Sequence, residues 1–329
     1  MQIRVLSARD VRQALPMAEA VEAMKAAYGQ FSAGRADVPL RTRVASPRAE
    51  GVTLFMPASL FDSGDLAVKT VSVFPRNQQH GLPTIHALVV VLSSDTGAPL
   101  AVLEGAALTA LRTGAAAGAA TDLLAPPGAR SMAVFGSGVQ ARTQLEAVCT
   151  VRPIERAWVY SLDTGGAQAM VDELRGQGPI PQDLSLAGSP SEAAAEAEVI
   201  CTATTSLTPV FAFQDIHSGV HINAVGSYTP EMQEIDSETV AHALVVVDSR
   251  EAVLAETGDL IIPLREGIIR ESHLHAELGE IVNGTKHGRT SADQLTLFKS
   301  VGLAVQDAVA AGRALARAEE LGLGQTVEL

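Results

Sequence analysis

The chain has 329 residues, a length that suggests two domains. Because 47% of the residues are hydrophobic and 19% are charged, the chain is not intrinsically disordered. Its 24 basic and 37 acidic residues leave a net charge of −13, which argues against a nucleic-acid-binding surface. The longest apolar runs fall well short of the roughly 20 residues that cross a bilayer, so no membrane helix is expected.

The first ninety or so residues combine one helix with three strands. Apolar residues recur at three- and four-residue spacing from Val11 to Phe31, which predicts an amphipathic helix. Apolar and β-branched runs bounded by turn residues predict strands at Gly51–Pro57, Leu66–Val73 and Thr84–Leu92. Lys69, one of only four lysines in the chain, lies within the second of these strands, which is otherwise largely apolar.

Strand-like and helix-like segments alternate through the middle of the chain. This alternation is typical of a parallel sheet with helices on both faces, a doubly wound α/β domain. The predicted strands are Ser131–Phe135, Arg156–Ser161, Leu184–Leu186, Glu198–Thr202, Val220–Val225 and Ala243–Asp248. The predicted helices are Thr113–Thr121, Gln140–Val148, Gly166–Gly176, Ser191–Ala197 and, near the C-terminus, Ser300–Leu321.

A glycine-rich loop follows the first strand of this domain. The segment Gly136–Ala141 (GSGVQA) matches the pattern Gly-x-Gly-x-x-Gly/Ala and lies between a strand and a helix, with a second strand after them. In this arrangement Gly136 permits the tight turn, Gly138 leaves room for a pyrophosphate, and the N-terminus of the helix offers free N–H groups. The segment therefore predicts a dinucleotide site rather than an unrelated glycine turn.

The end of the second strand bears on the choice of dinucleotide. An acidic side chain there would bind the ribose 2′-hydroxyl of NAD, whereas its absence leaves room for the 2′-phosphate of NADP. The chain has Ser161 at this place, followed by Leu162 and Asp163. We therefore expect a preference for NADPH, with NADH as the alternative because Asp163 lies close by in sequence.

Four segments occur in an order and spacing that are specific to one family. They are Leu108–Thr113 (LTALRT), Ser131–Ala141 (SMAVFGSGVQA), Val220–Gly226 (VHINAVG) and Thr296–Gly302 (TLFKSVG). Through these segments the chain resembles the ornithine cyclodeaminase/μ-crystallin family over nearly its whole length.

The resemblance implies an α/β fold in which a Rossmann-type doubly wound parallel sheet domain is inserted into a smaller α+β domain. Residues 1–112 plus 300–329 would form the substrate-binding and dimerisation domain, and residues 113–299 the dinucleotide-binding domain. The change in sequence pattern near residue 113 agrees with this division. A homodimer is the assembly that the resemblance implies.

The same resemblance implies a clamp for the carboxylate of a small amino or imino acid, formed by Arg43, Lys69 and Arg112, with Lys69 and Arg112 also as catalytic residues. A carboxylate that leaves water needs charge-assisted donors, and arginine offers a planar fork where lysine offers a compact charge. A lone arginine near a strand end is ordinarily part of a surface ion pair. Lys69 lies among apolar residues, however, and a buried lysine needs a buried anion.

A further set of residues would line the cofactor by the same resemblance: Thr84, Thr113, Val139, Gln140, Thr202, Val225 and Ser300. Gly136, Gly138 and Ser161 complete the predicted cofactor site. Ordinary packing or capping is the alternative role, and it applies more to Thr202 and Ser300 than to Gln140, which lies in the phosphate loop.

Two positions depart from the ornithine cyclodeaminase pattern. Leu54 stands where a cyclodeaminase has the glutamate that holds the distal amino group, and Tyr228 replaces the aspartate that acts on the α-amine. A leucine cannot pair with a buried ammonium, so ornithine is not the expected substrate. Leu54 and Met56 are instead expected to lie beside the substrate.

A carboxylate clamp beside a nicotinamide predicts a reductase of small cyclic imino acids. The family contains reductases that convert Δ1-pyrroline-2-carboxylate to L-proline, and Δ1-piperideine-2-carboxylate, which gives L-pipecolate, is the six-membered equivalent. Hydride would be delivered to the C=N carbon of the protonated imine. Tyr228 would either act as a catalytic residue, through a hydrogen bond to the substrate or to a water, or pack without a direct role.

Three alternatives stay open. An amino-acid dehydrogenase of the alanine dehydrogenase kind would use pyruvate and ammonia, and an ornithine cyclodeaminase would use ornithine. A μ-crystallin-like protein would bind NADPH and a ligand without turnover, although the complete clamp argues against lost chemistry.

The remaining polar residues predict no further site. Histidines and carboxylates lack the spacing of a zinc site, so no metal is expected, and Cys149 and Cys201 are predicted to be buried and inert. With two cysteines and no signal-peptide pattern, a cytoplasmic protein is expected. Its expected partner is a small carboxylate-bearing imine or amino acid, and neither a nucleic acid nor a membrane.

Overall fold

The computed structural model describes residues 1–328, apart from the side chain of Gln78, and they form two compact units. The first unit comprises Met1–Arg112 and the C-terminal residues from Leu303, and the second comprises Thr113–Gly302. The division predicted from the sequence lies within three residues of these bounds.

The strands of the described residues are numbered along the chain. They are β1 Gln2–Leu6, β2 Ala36–Asp37, β3 Thr42–Ser46, β4 Gly51–Leu60, β5 Leu66–Val73, β6 Ile85–Leu92, β7 Pro99–Glu104, β8 Ser131–Phe135, β9 Arg156–Tyr160, β10 Asp183–Leu186, β11 Val199–Thr202, β12 His221–Ala224, β13 Leu244–Val247, β14 Leu274–Glu277, β15 Thr296–Lys299 and β16 Gln325–Glu328.

The α-helices are numbered in the same way. They are α1 Ala8–Ala14, α2 Met17–Ser32, α3 Gly105–Leu124, α4 Val139–Val151, α5 Thr164–Leu174, α6 Pro190–Ala195, α7 Ser237–His242, α8 Arg250–Glu256, α9 Gly258–Arg265, α10 Leu278–Val282 and α11 Ala304–Leu321. No helix within residues 1–328 combines the length and the apolar character of a membrane span.

The first unit is built on a mixed sheet with the strand order β16-β1-β7-β6-β5-β4-β2, in which β3 also pairs with β4. The helices α2 and α11 pack together, and α11 also packs against β4, β5 and β6 on one face of the sheet. On this inner face Met56, Lys69 and Val89 lie directly opposite one another across β4, β5 and β6. The sheet thus holds Lys69 beneath α11.

The second unit is built on a parallel sheet with the strand order β10-β9-β8-β11-β12-β15-β13-β14. Side chains alternate between its two faces: Met132 and Val134 of β8 join one core, and Ala133 and Phe135 join the other. Residues of α4 and α5 cover the first core, and residues of α6 to α9 cover the second. The predicted doubly wound fold is confirmed.

Three predicted helices are corrected by the structure, and the one expected at Thr113–Thr121 is the longer α3, Gly105–Leu124. The helix expected from Val11 to Phe31 is two helices, because Leu15 precedes Pro16 and adopts φ −127° and ψ 83°. A proline disfavours the helical conformation of the residue before it. The last helix begins at Ala304, so Ser300 lies before it and not inside it.

The parallel sheet has eight strands within the described residues, so the prediction of six was wrong. The strands missed are β14 (LHAE) and β15 (TLFK), which have four residues each and mix polar with apolar side chains. Segments this short and this mixed lack the apolar run by which a buried strand is recognised.

Candidate functional site

The glycine-rich loop lies at the carboxyl end of β8, in the middle of the parallel sheet. Gly136 has a φ of +112°, a conformation that side chains other than hydrogen rarely permit, and a Cβ atom there would lie 2.6 Å from the carbonyl oxygen of Ala203. Gly138 has an ordinary φ of −75°, and a Cβ atom there would meet nothing within 4 Å. The first glycine therefore serves the turn, and the second leaves open space in front of α4.

The N-terminus of α4 fits the pyrophosphate of a dinucleotide. No side chain caps this end of the 13-residue helix, so its first N–H groups remain available to an anion. Val139 is 60% exposed, and the buried Oε1 of Gln140 has no hydrogen-bond partner among the described residues. A bound dinucleotide would give these groups partners.

Ser161 and Asp163 follow β9, where a ribose would be recognised. The Ser161 hydroxyl oxygen accepts a hydrogen bond from the Ser137 hydroxyl at 3.3 Å and another from the Asp163 N–H at 3.2 Å. The Asp163 carboxylate accepts from the N–H of Gly166 at 2.9 Å and so caps α5. One oxygen of this carboxylate is therefore already engaged by the protein.

A buried carboxylate joins the loops that follow β11 and β12. Glu234 accepts hydrogen bonds from the Thr202 hydroxyl at 2.8 Å, the Thr204 hydroxyl at 2.8 Å and the Thr204 N–H at 2.6 Å. It also accepts from the N–H groups of Gly226 at 2.6 Å and Ser227 at 3.2 Å. One side chain thus binds five donors, from the last residue of β11 and from the loops that follow β11 and β12.

Glu234 belongs to a chain of charges that we call the edge network, formed by Glu234, Asp259 and Lys299. Asp259 accepts from the N–H groups of Glu234 at 2.6 Å and Ile235 at 3.1 Å, and its other oxygen lies 2.9 Å from Lys299 Nζ. All three charged side chains are fully buried. Burial, and then Asp259, raise the pKa of Glu234, whereas Lys299 and the donors of Thr204 oppose that rise.

A second buried carboxylate holds the segment that follows β15. Asp248 accepts from the Ser300 hydroxyl at 2.8 Å and from the N–H groups of Val301 at 2.8 Å and Gly302 at 2.7 Å. Burial raises the pKa of Asp248, against these donors. Thr202 and Ser300, which were expected to line the cofactor, are therefore buried with their hydroxyls engaged by internal carboxylates, in line with the packing role considered for them.

In the first unit three buried side chains form what we call the Lys69 cluster: Lys69, Arg112 and Asp307. Lys69 Nζ lies 2.6 Å from one oxygen of Asp307, and Arg112 Nε lies 3.0 Å from the other. Arg112 also donates to Oε1 of Gln306 at 3.1 Å, and the Gln306 amide donates to the hydroxyl of Tyr28 at 2.9 Å. The helices α2, α3 and α11 thus fix the cluster over β5.

The charges of the Lys69 cluster do not balance. Burial lowers the pKa of Lys69 to about 8, although Asp307 opposes this effect. Burial would raise the pKa of Asp307, but Lys69 and Arg112 hold it below its usual value. With all three groups ionised the cluster carries one net positive charge, and Nη2 of Arg112 makes no hydrogen bond to the described residues.

The other residues predicted to bind the substrate lie around this cluster to different degrees. Met56 is buried directly opposite Lys69, and Leu54 is half-buried on the same face of the sheet. Arg43 pairs with Leu54 across β3 and β4, but its side chain is exposed. Arg41, which was not predicted, lies near enough for its charge to lower the pKa of Lys69.

The remaining predicted positions lie as follows. Thr84 is half-buried in the loop before β6, and Thr113 is buried within α3. Val225 is half-buried just after β12, and Tyr228 is 57% exposed in the loop that follows. Within residues 1–328 no three His, Cys, Asp or Glu side chains are grouped to hold a metal, and both cysteines are free and buried.

The sequence profile of the ornithine cyclodeaminase/mu-crystallin family matches residues 1–320. The chain belongs to this family. The resemblance found in its sequence motifs is therefore confirmed.

Members of the family are similar to the chain over its whole length. A Δ1-pyrroline-2-carboxylate reductase of Bacillus cereus is 41% identical over 325 residues, which cover 98% of this chain and 99% of that protein. The structure of Thermococcus litoralis Δ1-pyrroline-2-carboxylate reductase with NADH and L-proline matches with a TM-score of 0.93 and 44% identity, covering 99% of this chain and all of that one. An alanine dehydrogenase of Archaeoglobus fulgidus is 34% identical over 311 residues, 94% of each chain.

Several charged residues of this family member were not found by sequence reasoning. Asp307 interrupts the apolar face that Ala304, Ala308 and Ala311 give to the last helix, a signal for a buried charge. Lys299 directly follows Leu297 and Phe298 and is one of only four lysines. Glu234 has no such local signal, because three of its five donors belong to Thr202 and Thr204, about 30 residues earlier in the chain.

Proposed function

We propose that this protein is an NAD(P)H-dependent reductase that converts Δ1-pyrroline-2-carboxylate to L-proline, with Δ1-piperideine-2-carboxylate as a six-membered second substrate. The observation that carries the proposal is the charge of the Lys69 cluster. Two buried cations share one buried anion, so one positive charge and several N–H donors remain without a partner. A substrate with a single carboxylate supplies the missing charge and the missing acceptor.

The residues around the cluster favour an imino acid over a diamine. Leu54 and Met56 present apolar side chains on the face of the sheet that carries Lys69. An ammonium group beside them would lose its hydration and find no counter-ion there. The site therefore suits a compact apolar ring that carries one carboxylate.

The chemistry divides between the substrate, the cofactor and the chain. The nicotinamide, when bound, supplies a hydride to the carbon of the C=N bond. The imine nitrogen is protonated beforehand, so addition of hydride gives the secondary amine directly and needs no further proton. Lys69 and Arg112 bind and orient the carboxylate, and the hydroxyl of Tyr228, which lies on an exposed loop, is assigned a hydrogen bond to the substrate nitrogen or to a water beside it.

The relatives support this proposal. The Bacillus relative is a Δ1-pyrroline-2-carboxylate reductase, and the Thermococcus structure contains NADH together with L-proline, the product of the proposed reaction. The reaction would place the protein in proline metabolism. Because the Archaeoglobus relative is an alanine dehydrogenase, reductive amination of pyruvate is the second candidate function.

One assay separates these functions. Purified protein is incubated with NADPH or NADH and, in turn, with Δ1-pyrroline-2-carboxylate, Δ1-piperideine-2-carboxylate, or pyruvate plus ammonia, and oxidation of the cofactor and the amino acid formed are measured. We expect oxidation with the cyclic imino acids and L-proline as the product of the first. Turnover of pyruvate plus ammonia alone would instead support the dehydrogenase, and no turnover with any imine from mildly acidic to neutral pH would refute the reductase.

We also propose that NADPH is preferred to NADH. The residue at the end of β9 is Ser161, and the nearby carboxylate of Asp163 caps α5. A 2′-phosphate therefore meets a hydroxyl at the position where an NAD site has its carboxylate. Dissociation constants for the two cofactors test this preference, and it is wrong if NADH binds as tightly as NADPH.

We propose further that the protein is a homodimer joined through the outer face of the first unit's sheet. Phe55, Thr70 and Leu88 lie in one row across β4, β5 and β6 on that face, and both Phe55 and Leu88 are exposed. Exposed apolar patches of this kind mark interaction surfaces. In a symmetric dimer the patch of one copy covers the same patch of the other. Leu88→Asp should give a monomer in sedimentation, and Leu207→Asp, an exposed leucine of the second unit, should not. A monomeric unmodified protein would contradict the proposal.

A further inference from the structure

We propose that Glu234 is a positioning residue for the proposed reaction. Its carboxylate holds together the loops that follow β11 and β12, and through them it sets the position of Tyr228 and of the main chain that faces the dinucleotide. The proposal rests on the proposed function for its account of Tyr228, but its effect on dinucleotide binding can be measured without any substrate.

The Glu234 carboxylate acts as the acceptor in all five of its hydrogen bonds. Three of the donors are main-chain N–H groups, those of Thr204, Gly226 and Ser227. A fully buried carboxylate that accepts main-chain donors from two loops fixes the distance between those loops. A glutamine at this position would turn an N–H₂ group toward donors that need an acceptor.

The loops that follow β11 and β12 approach each other closely. A Cβ atom on Gly226 would collide with the main chain of Thr204 and with the Glu234 carboxylate. The loop that follows β11 also lies against the phosphate loop, since a Cβ atom on Gly136 would lie 2.6 Å from the carbonyl oxygen of Ala203. A shift of the Thr204 loop is therefore transmitted to the turn that is expected to hold the pyrophosphate.

The loop that carries Tyr228 is fixed at both ends. At its start, Gly226 and Ser227 donate to Glu234, and the Ser227 hydroxyl donates to the carbonyl oxygen of Met232 at 2.6 Å. At its end, the N–H of Glu234 is held by Asp259, which is paired with Lys299. Tyr228 is the exposed part of a loop that is anchored on both sides by the edge network.

The edge network lies at the edge of the sheet where a ligand is expected. It spans the carboxyl ends of β11, β12 and β15, which are neighbours in the sheet. In open parallel sheets ligands bind at the carboxyl ends of the strands. The buried charges therefore support the edge at which the cofactor is expected, and not a remote part of the core.

The experiment measures binding of NADPH and NADH to the purified full chain by calorimetric titration, for the unmodified protein, Glu234→Gln and Glu231→Gln. Glu231 is an exposed glutamate of the same loop and serves as the matched control. We expect the dissociation constant of the preferred cofactor to rise by about 10-fold or more in Glu234→Gln, and to change by less than about 2-fold in Glu231→Gln. An unchanged dissociation constant in Glu234→Gln would overturn the proposal.

This readout separates positioning from a general loss of stability. A misfolded fraction that does not refold lowers the number of binding sites in the titration and leaves the dissociation constant unchanged. A reversibly unfolded fraction raises the apparent dissociation constant only in proportion to that fraction, which urea unfolding of the same variant measures. If Glu234→Gln does not fold, Glu234→Asp keeps the charge on a shorter side chain, and its dissociation constant should rise relative to the unmodified protein. An unmodified value for Glu234→Asp would then overturn the proposal.

A double-mutant cycle tests the link to Tyr228. If Glu234 acts partly through the loop of Tyr228, the loss of kcat caused by Glu234→Gln should be smaller in a Tyr228→Phe background than in the unmodified protein. Independent, multiplicative losses would contradict that link. An unmodified protein that binds the dinucleotide but reduces no imine would refute the proposed function while leaving the binding result for Glu234 intact.

Discussion

In the proposed function, burial makes the three side chains of the Lys69 cluster the site for the substrate carboxylate. A buried ion pair is a poor source of stability, but removing one partner leaves an uncompensated charge that costs about 3 to 5 kcal/mol. Asp307 keeps Lys69 and Arg112 in the interior without neutralising both of them. The cluster therefore retains one net positive charge, which the proposed function assigns to the substrate carboxylate.

The pH dependence of activity tests the role of Lys69. Burial lowers its pKa to about 8, so the ammonium loses its proton as the pH rises through that value and the carboxylate loses a charged partner. We expect the ratio of kcat/KM for the imino acid, unmodified protein over Lys69→Arg, to fall by about tenfold per pH unit above pH 8. The guanidinium of that variant stays charged, so this alkaline loss should be absent.

The control for this measurement is Lys286→Arg, which changes an exposed lysine of the second unit. Its profile should match that of the unmodified protein. Titration of the imine itself affects all three proteins equally and so cancels in the comparison. An identical alkaline limb in Lys69→Arg and in the unmodified protein would show that Lys69 does not bind the carboxylate in its charged form.

At the scale of a single element, the two glycines of the phosphate loop should respond differently to substitution by alanine. A methyl group at Gly138 meets nothing within 4 Å, so Gly138→Ala should change the free energy of unfolding by no more than about 1 kcal/mol. The same methyl group would fill the space in front of α4, and the affinity for NADPH should fall by at least about tenfold, or 1.4 kcal/mol.

Gly136→Ala is the matched comparison for that variant. Its positive φ and the contact with Ala203 predict a loss of stability, with unfolding at lower denaturant concentration. Calorimetric titration and urea unfolding of both variants supply the two measurements. Full cofactor affinity in a folded Gly138→Ala protein would contradict the assignment of this loop to the pyrophosphate.

The strands β12 and β15 are joined by a buried histidine that should make the protein sensitive to acid. His221 contacts the Thr296 hydroxyl at 2.9 Å and the Asn223 side chain at 3.2 Å, and burial lowers its pKa to about 3. Below its unfolded pKa of about 6.5, His221 takes up a proton only in the unfolded chain, so stability is lost as the pH falls from about 6.5 toward 3.

Replacement of this histidine isolates its contribution. The free energy of unfolding of the unmodified protein should fall faster with decreasing pH than that of His221→Gln, with a difference of up to about 1.4 kcal/mol per pH unit. Urea unfolding at several pH values between 4 and 7 makes the comparison. Parallel pH dependences for the two proteins would show that His221 does not remain neutral in the folded state.

Local pattern was sufficient to predict some elements and not others. The strand Ser131–Phe135 and the strand Leu66–Val73 have the predicted bounds, because each is a run of apolar and β-branched residues ended by turn residues. β14 and β15 pair within the sheet although their own sequences are short and mixed, so their conformation depends on neighbours that are distant in sequence. Tertiary pairing here overrides a weak local preference.

At the scale of the whole molecule, the sequence indicated that Lys69 needs an anion but not which residue provides it. Asp307 lies near the other end of the chain and reaches Lys69 only because α11 packs on the sheet of the first unit. The phosphate loop, in contrast, is contained in one strand, one turn and one helix, so the sequence of that single segment predicts it. Sites that depend on one segment are predictable from sequence, and sites assembled from distant segments need the fold.

The two units contribute different parts of the proposed chemistry. The first unit holds the Lys69 cluster, and the second holds the phosphate loop with the edge network behind it. In the proposed function, the first unit binds the imino acid and the second binds the dinucleotide. Membership of the ornithine cyclodeaminase/mu-crystallin family is consistent with this division of roles.

The role of the Lys69 cluster as the carboxylate site is tested by comparing Δ1-pyrroline-2-carboxylate with 1-pyrroline, the same ring without the carboxylate, as substrates with NADPH and with NADH. We predict oxidation of the cofactor with an equal amount of L-proline for the first. For the second, kcat/KM should be lower by about 100-fold or more, since the lost charge-assisted hydrogen bonds are worth about 1.5 to 3 kcal/mol each. Equal rates with both rings, or no oxidation of either cofactor with the imino acid, would contradict the account.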